Sequence, residues 1–239
     1  LNELKPDLMV IVAFRMLPRE VWSIPPLGTF NLHASLLPNY RGAAPINWSI
    51  INQEKHSGVT TFFINEEIDS GAILLQEKVD IETHDTAGSL HDKLAKKGSK
   101  LICNTIRGIL KGSISPKKQE VKGSEKAAPK LNKENIFIDW DQPLDVIQAK
   151  IRGLSPYPGA KFNWIEDDKK SIIKIFKAEI VKENHPFDPK KVIIKDHKIL
   201  ITHPKGFLNC IILQFPNKKQ MNAIDLLNGN SFSDKVQVS

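Results

Sequence analysis

The chain has 239 residues, 41% of them hydrophobic and 26% charged, and a formal net charge of +7, which suits one large or two ordinary cored, soluble domains and is compatible with a polyanionic partner such as RNA. The apolar run Leu8–Phe14 is far too short to span a bilayer and lacks the flanks of a cleaved leader. Two cysteines, Cys103 and Cys210, exclude a disulfide framework and are expected as buried free thiols in a reducing cytoplasm; no His/Cys cluster has metal-ligand spacing, so no metal is assigned.

Leu8–Phe14 follows Pro6-Asp7 and reads as a strand apolar on both faces, as in a parallel sheet. Arg19–Ser23 reads as one or two helical turns, Pro25–Gly28 as a turn and Thr29–His33 as the next strand. The interval between the two strands is about one crossover, which predicts a βαβ unit of an α/β fold. Ligands of such sheets bind beyond the carboxyl ends of the strands, where Arg15–Leu17 and Asn31–Pro38 fall.

Ala43–Gln53 reads as a helix introduced by Gly42 and Pro45, and Val59–Ile64 and Ile73–Val79 as neighbouring strands. The loop between them, Asn65–Gly71, is longer than a tight hairpin needs. Asp69 near its end, before Ser-Gly, is by itself an ordinary turn former. Thr86 precedes a long helix reaching about Lys111, with Leu90, Leu94, Leu101, Ile102, Ile106 and Ile109 in one apolar stripe. Gly98 inside that stripe marks either a close packing contact or a break.

Residues 111–130 are rich in lysine, with Lys117, Lys118 and Lys122 against few acids, and read as a solvated linker that could also touch phosphates. Pro143 then opens a helix ending near Gly153. Short strands follow at Ala160–Ile165, Ile172–Val181, Lys191–Lys195, Ile199–His203 and Leu208–Phe215, with a helical turn at Ala223–Leu227. Frequent turns between short strands predict a small antiparallel barrel. The domains are therefore read as 1–112, a basic linker at 113–130, and 131–239.

The segment Asn31-Leu32-His33-Ala34-Ser35-Leu36-Leu37-Pro38 puts an amide and an imidazole on one face of a strand's end, because side chains alternate with period two. Such a pair can bind an oxyanion and move a proton, although an isolated N-x-H is more simply two polar residues on a wet face. Together with Asn39-Tyr40-Arg41-Gly42-Ala43-Ala44-Pro45-Ile46, Glu67-Ile68-Asp69-Ser70-Gly71 and, further on, Ile151-Arg152-Gly153-Leu154-Ser155-Pro156-Tyr157-Pro158, it resembles the folate-dependent formyltransferases over nearly the whole chain. Within that family it is most similar to the members that act on initiator methionyl-tRNA.

The resemblance implies a Rossmann-like catalytic domain, a C-terminal OB-like β-barrel that binds tRNA, and a cytoplasmic enzyme of translation initiation, monomeric at full length. It implies Asn31, His33 and Asp69 as the catalytic trio. Ser35, Leu36, Leu37 and Pro38 would contact 10-formyltetrahydrofolate, with Phe14, Arg15, Met16 and Leu17 lining the pteridine pocket. An amine would attack the formyl carbon while Asn31 and His33 stabilise the oxygen and Asp69 helps relay the proton. Two other readings stay open: formylation of a nucleotide-linked amino sugar, and a non-catalytic RNA-binding module. Family members begin with elements not seen before Leu8. The expectation is that residues 1–239 alone would self-associate through an uncovered strand edge, with the barrel from about residue 130 the better-behaved part.

Overall fold

The computed structural model describes residues 1, 3–13, 17–233 and 235–239. The chain divides into two units. One comprises Leu1–Ser49, Glu54–Thr83 and Ser89–Lys130; the other comprises Ile50–Gln53, His84–Gly88 and Leu131–Ser239.

In the first unit β1 (Met9–Val12), β2 (Thr29–His33), a two-residue β3 (Arg41–Gly42), β4 (His56–Phe63) and β5 (Ile73–Asp80) follow in order, with the short α1 (Arg19–Trp22) between β1 and β2 and α2 (Pro45–Ile51) between β3 and β4. The main sheet has the order β1-β2-β4-β5. The β1–β2 pair is parallel, as a crossover demands, whereas β2–β4 and β4–β5 are antiparallel. The expectation of two buried faces at Leu8–Phe14 does not hold for the described part: of β1 only Ile11 is buried and Val12 is 53% exposed. β1 has one strand neighbour among the described residues and so lies at the edge of the sheet.

α3 (Ala87–Leu110) runs unbroken through Gly98. A Cβ there would lie 2.6 Å from Leu32 Cδ2, so the glycine is a close contact between helix and sheet. Leu90, Leu94, Leu101 and Thr105 are buried, and the Thr105 hydroxyl bonds that of Thr61 on β4 at 2.8 Å. Cys103 is exposed, contrary to the reading from its apolar neighbours. Two positions past Leu101 is about 200° around a helix, which turns it to the solvent side. No helix of the described residues is long and apolar enough to cross a membrane.

Residues 113–130 fold back along the first unit. Lys117 and Ile73 exchange two backbone hydrogen bonds at 2.8 Å, and β6 (Ala127–Ala128) pairs in parallel with β3. Gly42, at φ +123°, permits this pairing, since a Cβ there would lie 2.5 Å from the Ala128 carbonyl oxygen.

The second unit opens with α4 (Leu144–Gly153), led by Pro143 at its N-cap. Seven strands follow: β7 (Ala160–Glu166), β8 (Lys169–Val181), β9 (Val192–Lys195), β10 (Lys198–His203), β11 (Gly206–Gln214), β12 (Met221–Asn222) and, after α5 (Ala223–Asn228), β13 (Gln237–Val238). The order is β13-β7-β8-β11-β10-β9, and the ends meet through an antiparallel bridge between Lys191 and Gln237, closing the sheet into a barrel. Phe162, Ile173, Ile175, Ile199 and Leu208 are fully buried inside it with Ile147 and Ile151 of α4. Cys210 lies in this core, and burial pushes its thiol pKa up.

Candidate active site

Asn31 and His33 share a face of β2 and line one cavity of about 710 Å³ with Ile11, Leu17, Leu94 and Asp69. That volume falls within the range usual for small-molecule sites, about 300–1,000 Å³. The apolar wall comes from strand and helix residues that also belong to the sheet's packing; the polar groups come from the end of β2 and two loops.

The first loop, 34–40, returns the chain onto His33. Ser35 Oγ donates to the Asn39 carbonyl at 2.6 Å. Buried Thr60 Oγ1 donates to the Ser35 carbonyl and accepts from the Leu37 N–H, while Gln76 Nε2 donates to the Leu37 carbonyl. The loop ends at Tyr40, at φ +60°, whose carbonyl lies 2.7 Å from His33 Nε2. Tyr40 is itself held by its N–H on the Lys126 carbonyl at 2.5 Å and its hydroxyl on Glu54 Oε1 at 2.6 Å. Burial would raise the Glu54 carboxyl, but hydrogen bonds from Lys126 and Tyr40 outweigh it and hold the group below the usual carboxylate range.

The second loop brings Asp69, at φ +52°, to the other ring nitrogen: His33 Nδ1 and Asp69 Oδ2 are 3.6 Å apart, with side chains only 7% and 13% exposed. The same oxygen accepts the Gly42 N–H at 2.9 Å. A carbonyl can only accept, so His33 Nε2 carries a proton toward Tyr40 and proton exchange is confined to Nδ1, beside the carboxylate. Beside this pair, Asn31 Oδ1 is buried with no hydrogen-bond partner among the described residues.

The loop closes on Gly71, where a Cβ would lie 1.7 Å from the Phe63 carbonyl oxygen. Gly71→Ala therefore requires the backbone to move and should carry Asp69 with it. We expect at least about a tenfold loss of turnover and a lower melting temperature, read by steady-state kinetics and thermal unfolding. A fully active Gly71→Ala would mean that the loop absorbs the shift without Asp69.

Of the residues singled out in the sequence, Asn31, His33, Asp69 and Leu17 converge on the cavity. Phe14, Arg15 and Met16 lie outside the described residues. Ser35, Leu36, Leu37 and Pro38 do not line it; Ser35 and Leu37 are buried, and Leu36 packs onto Gly58, where a Cβ would lie 2.4 Å from Leu36 Cδ2. The Tyr40 carbonyl and the Gly42 N–H escape a sequence reading because they act through backbone; the one available signal is the glycine inside Tyr40-Arg41-Gly42. Thr60 and Gln76 carry no motif at all.

Two formyltransferase families match the chain: "Formyl transferase" over residues 1–106 and "Formyl transferase, C-terminal domain" over residues 130–231. Methionyl-tRNA formyltransferase of Flavobacterium johnsoniae is 48% identical over 238 residues, spanning 100% of this chain and 76% of that protein. The enzyme of the same name from Bacteroides thetaiotaomicron is 45% identical over 245 residues, with the same two coverages. Among solved structures, HypX from Aquifex aeolicus in complex with tetrahydrofolic acid superposes with a TM-score of 0.71 at 21% identity, over 93% of this chain and 38% of that one, which is a likeness of fold. With both halves matched and relatives of this identity aligned along its whole length, the chain belongs to the formyltransferase family.

Proposed function

We propose that the protein transfers a formyl group from 10-formyltetrahydrofolate to the amino group of initiator methionyl-tRNA. The observation that carries this reading is the convergence of Asn31, His33 and Asp69 in one cavity, with His33 oriented from both sides. The relatives aligned along the whole chain are named for methionyl-tRNA, which supports that acceptor over others.

The cavity has the volume and the apolar walls for a folate ring system, and Asn31 Oδ1, buried with no hydrogen-bond partner among the described residues, is an acceptor that a ligand N–H could meet. Bound folate would supply the activated one-carbon unit; the protein supplies placement and electrostatics. Asn31 Nδ2 would donate to the formyl oxygen as negative charge grows on it during amine attack, without changing its own protonation state. His33, fixed by the Tyr40 carbonyl at Nε2, would offer a proton from Nδ1 to the same region. Asp69 would stabilise that proton and take up the one released by the attacking amine, directly or through water, while the formyl C–N10 bond breaks and the departing N10 of tetrahydrofolate takes a proton from His33 or water. The Gly42 N–H keeps the carboxylate aimed while this happens.

The test is formyl transfer by the full-length protein from 10-formyltetrahydrofolate to three acceptors: methionyl-tRNA, a nucleotide-linked amino sugar and free methionine. Formylation of methionyl-tRNA well above the other two is the expected result. Preference for the amino sugar would move the protein to that branch of the family, and tRNA binding without transfer to any acceptor would leave an RNA-binding module.

A further inference from the structure

From Ser115 to Ser124 every residue is exposed except Gln119, which is 7% exposed. A lone buried amide in a lysine-rich surface run is costly to place there unless its hydrogen bonds are met, and all four of them are. Gln119 Oε1 accepts from Arg41 Nε at 3.1 Å and Nη2 at 2.6 Å. Gln119 Nε2 donates to the carbonyl of Asp69 and to that of Gly71, each at 2.8 Å. The reverse orientation would set the amide oxygen against two carbonyls and its NH₂ against a guanidinium, so the arrangement admits one orientation only.

The amide thus spans Asp69, at its left-handed φ, and Gly71, where only glycine fits. On its other side it fixes Arg41, whose neighbour Gly42 donates to the Asp69 carboxylate. Both ends of the contact that aims Asp69 at His33 therefore hang on one side chain. The Lys117–Ile73 bridge two residues earlier brings that side chain to the loop.

We infer that Gln119 is a positioning residue for the reaction: it sets the backbone of the Asp69 loop and Arg41-Gly42 so that Asp69 Oδ2 faces His33 Nδ1. The inference rests on the catalytic reading of Asp69 given above, and it gives the 113–130 segment a part in turnover as well as in packing.

The test is a double-mutant cycle in the full-length protein. Gln119→Met fills a similar volume and removes all four hydrogen bonds. Gln119→Glu keeps the Arg41 contact but turns an acceptor toward two carbonyls. Each is expected to lower kcat about 10- to 100-fold with KM for the folate donor changed less than about threefold, since the loss is of alignment. In an Asp69→Asn background, assayed under single-turnover conditions, Gln119→Met should cost less than about twofold, because the group it positions no longer carries its charge. If the two substitutions instead multiply, or if Gln119→Met lowers the melting temperature and leaves kcat intact, Gln119 is a structural fastener and the inference is overturned. Full activity of Asp69→Asn alone would instead remove the catalytic reading of Asp69 on which the inference stands. Should Gln119→Met fail to fold, Gln119→Glu in the same cycle decides between the outcomes.

Discussion

His33→Ala should lower formyl transfer by at least about two to three orders of magnitude, with the fold retained. The ring is gripped at both nitrogens, by the Tyr40 carbonyl at 2.7 Å and the Asp69 carboxylate at 3.6 Å, and it is 6% exposed. Its removal takes away the group that can hold a proton beside the reacting oxygen, while Asp69 Oδ2 keeps its hydrogen bond from the Gly42 N–H. His33→Gln would keep a donor toward the Tyr40 carbonyl but no titratable nitrogen, and should be nearly as inactive. Rates of methionyl-tRNA formylation, with circular dichroism to verify folding, decide the matter. Turnover within tenfold of the parent in either variant would return Asn31 and His33 to an ordinary polar strand end.

The second large effect is on stability. Phe162 is fully buried in the barrel and meets Trp140 edge-on, ring centroids 5.5 Å apart. Truncation to Ala deletes an aromatic ring from a closed sheet that cannot collapse around the void, which costs about 3–5 kcal/mol. Two of the chain's four tryptophans, Trp140 and Trp164, lie in this core. Urea unfolding followed by fluorescence should show the barrel's transition at clearly lower denaturant. A shift equivalent to less than about 1 kcal/mol would mean that the barrel repacks far more freely than its closure suggests.

Periodicity made the regular elements legible. β2, β5, α3 and α4 fall where their apolar spacing puts them, and the turns at Asp167-Asp168 and Asp196-His197 carry the left-handed φ values that favour such residues. Short-range rules served less well where a contact is short in length and long in separation. The β3–β6 pair has two residues on each side, and Arg41 and Gln119 are 78 positions apart, so neither leaves a local pattern. At the site, Asn31 and His33 were readable as a same-face pair, whereas Asp69, an ordinary turn former by its position, was singled out only by the resemblance of the Glu67–Gly71 motif. The Tyr40 carbonyl and the Gly42 N–H were not, because backbone groups are the same whatever the side chain. Cys103 and β1 show the complementary failure: an apolar neighbourhood in sequence says nothing about which side of a helix, or which end of a sheet, a residue will occupy.

The bracket formed by Gln119, Lys117 and β6 has a consequence for when the active centre comes into being during synthesis. The four strands of the first unit's main sheet and the whole of α3 lie upstream of residue 111 and can associate as soon as they are made. The clasp on Asp69 and Tyr40 cannot close until the chain has passed Gln119, Lys126 and Ala128. Closing a loop of that length costs only slightly more entropy than closing a short one, so the delay is one of order rather than of energy. A nascent chain halted between residues 111 and 118 would thus own Asn31, His33 and Asp69, the three residues proposed to carry the chemistry, and the sheet beneath them, yet hold Asp69 in an unclasped loop. If Gln119 positions Asp69 as inferred above, competence for chemistry arrives with a segment whose composition alone marks it as a spacer.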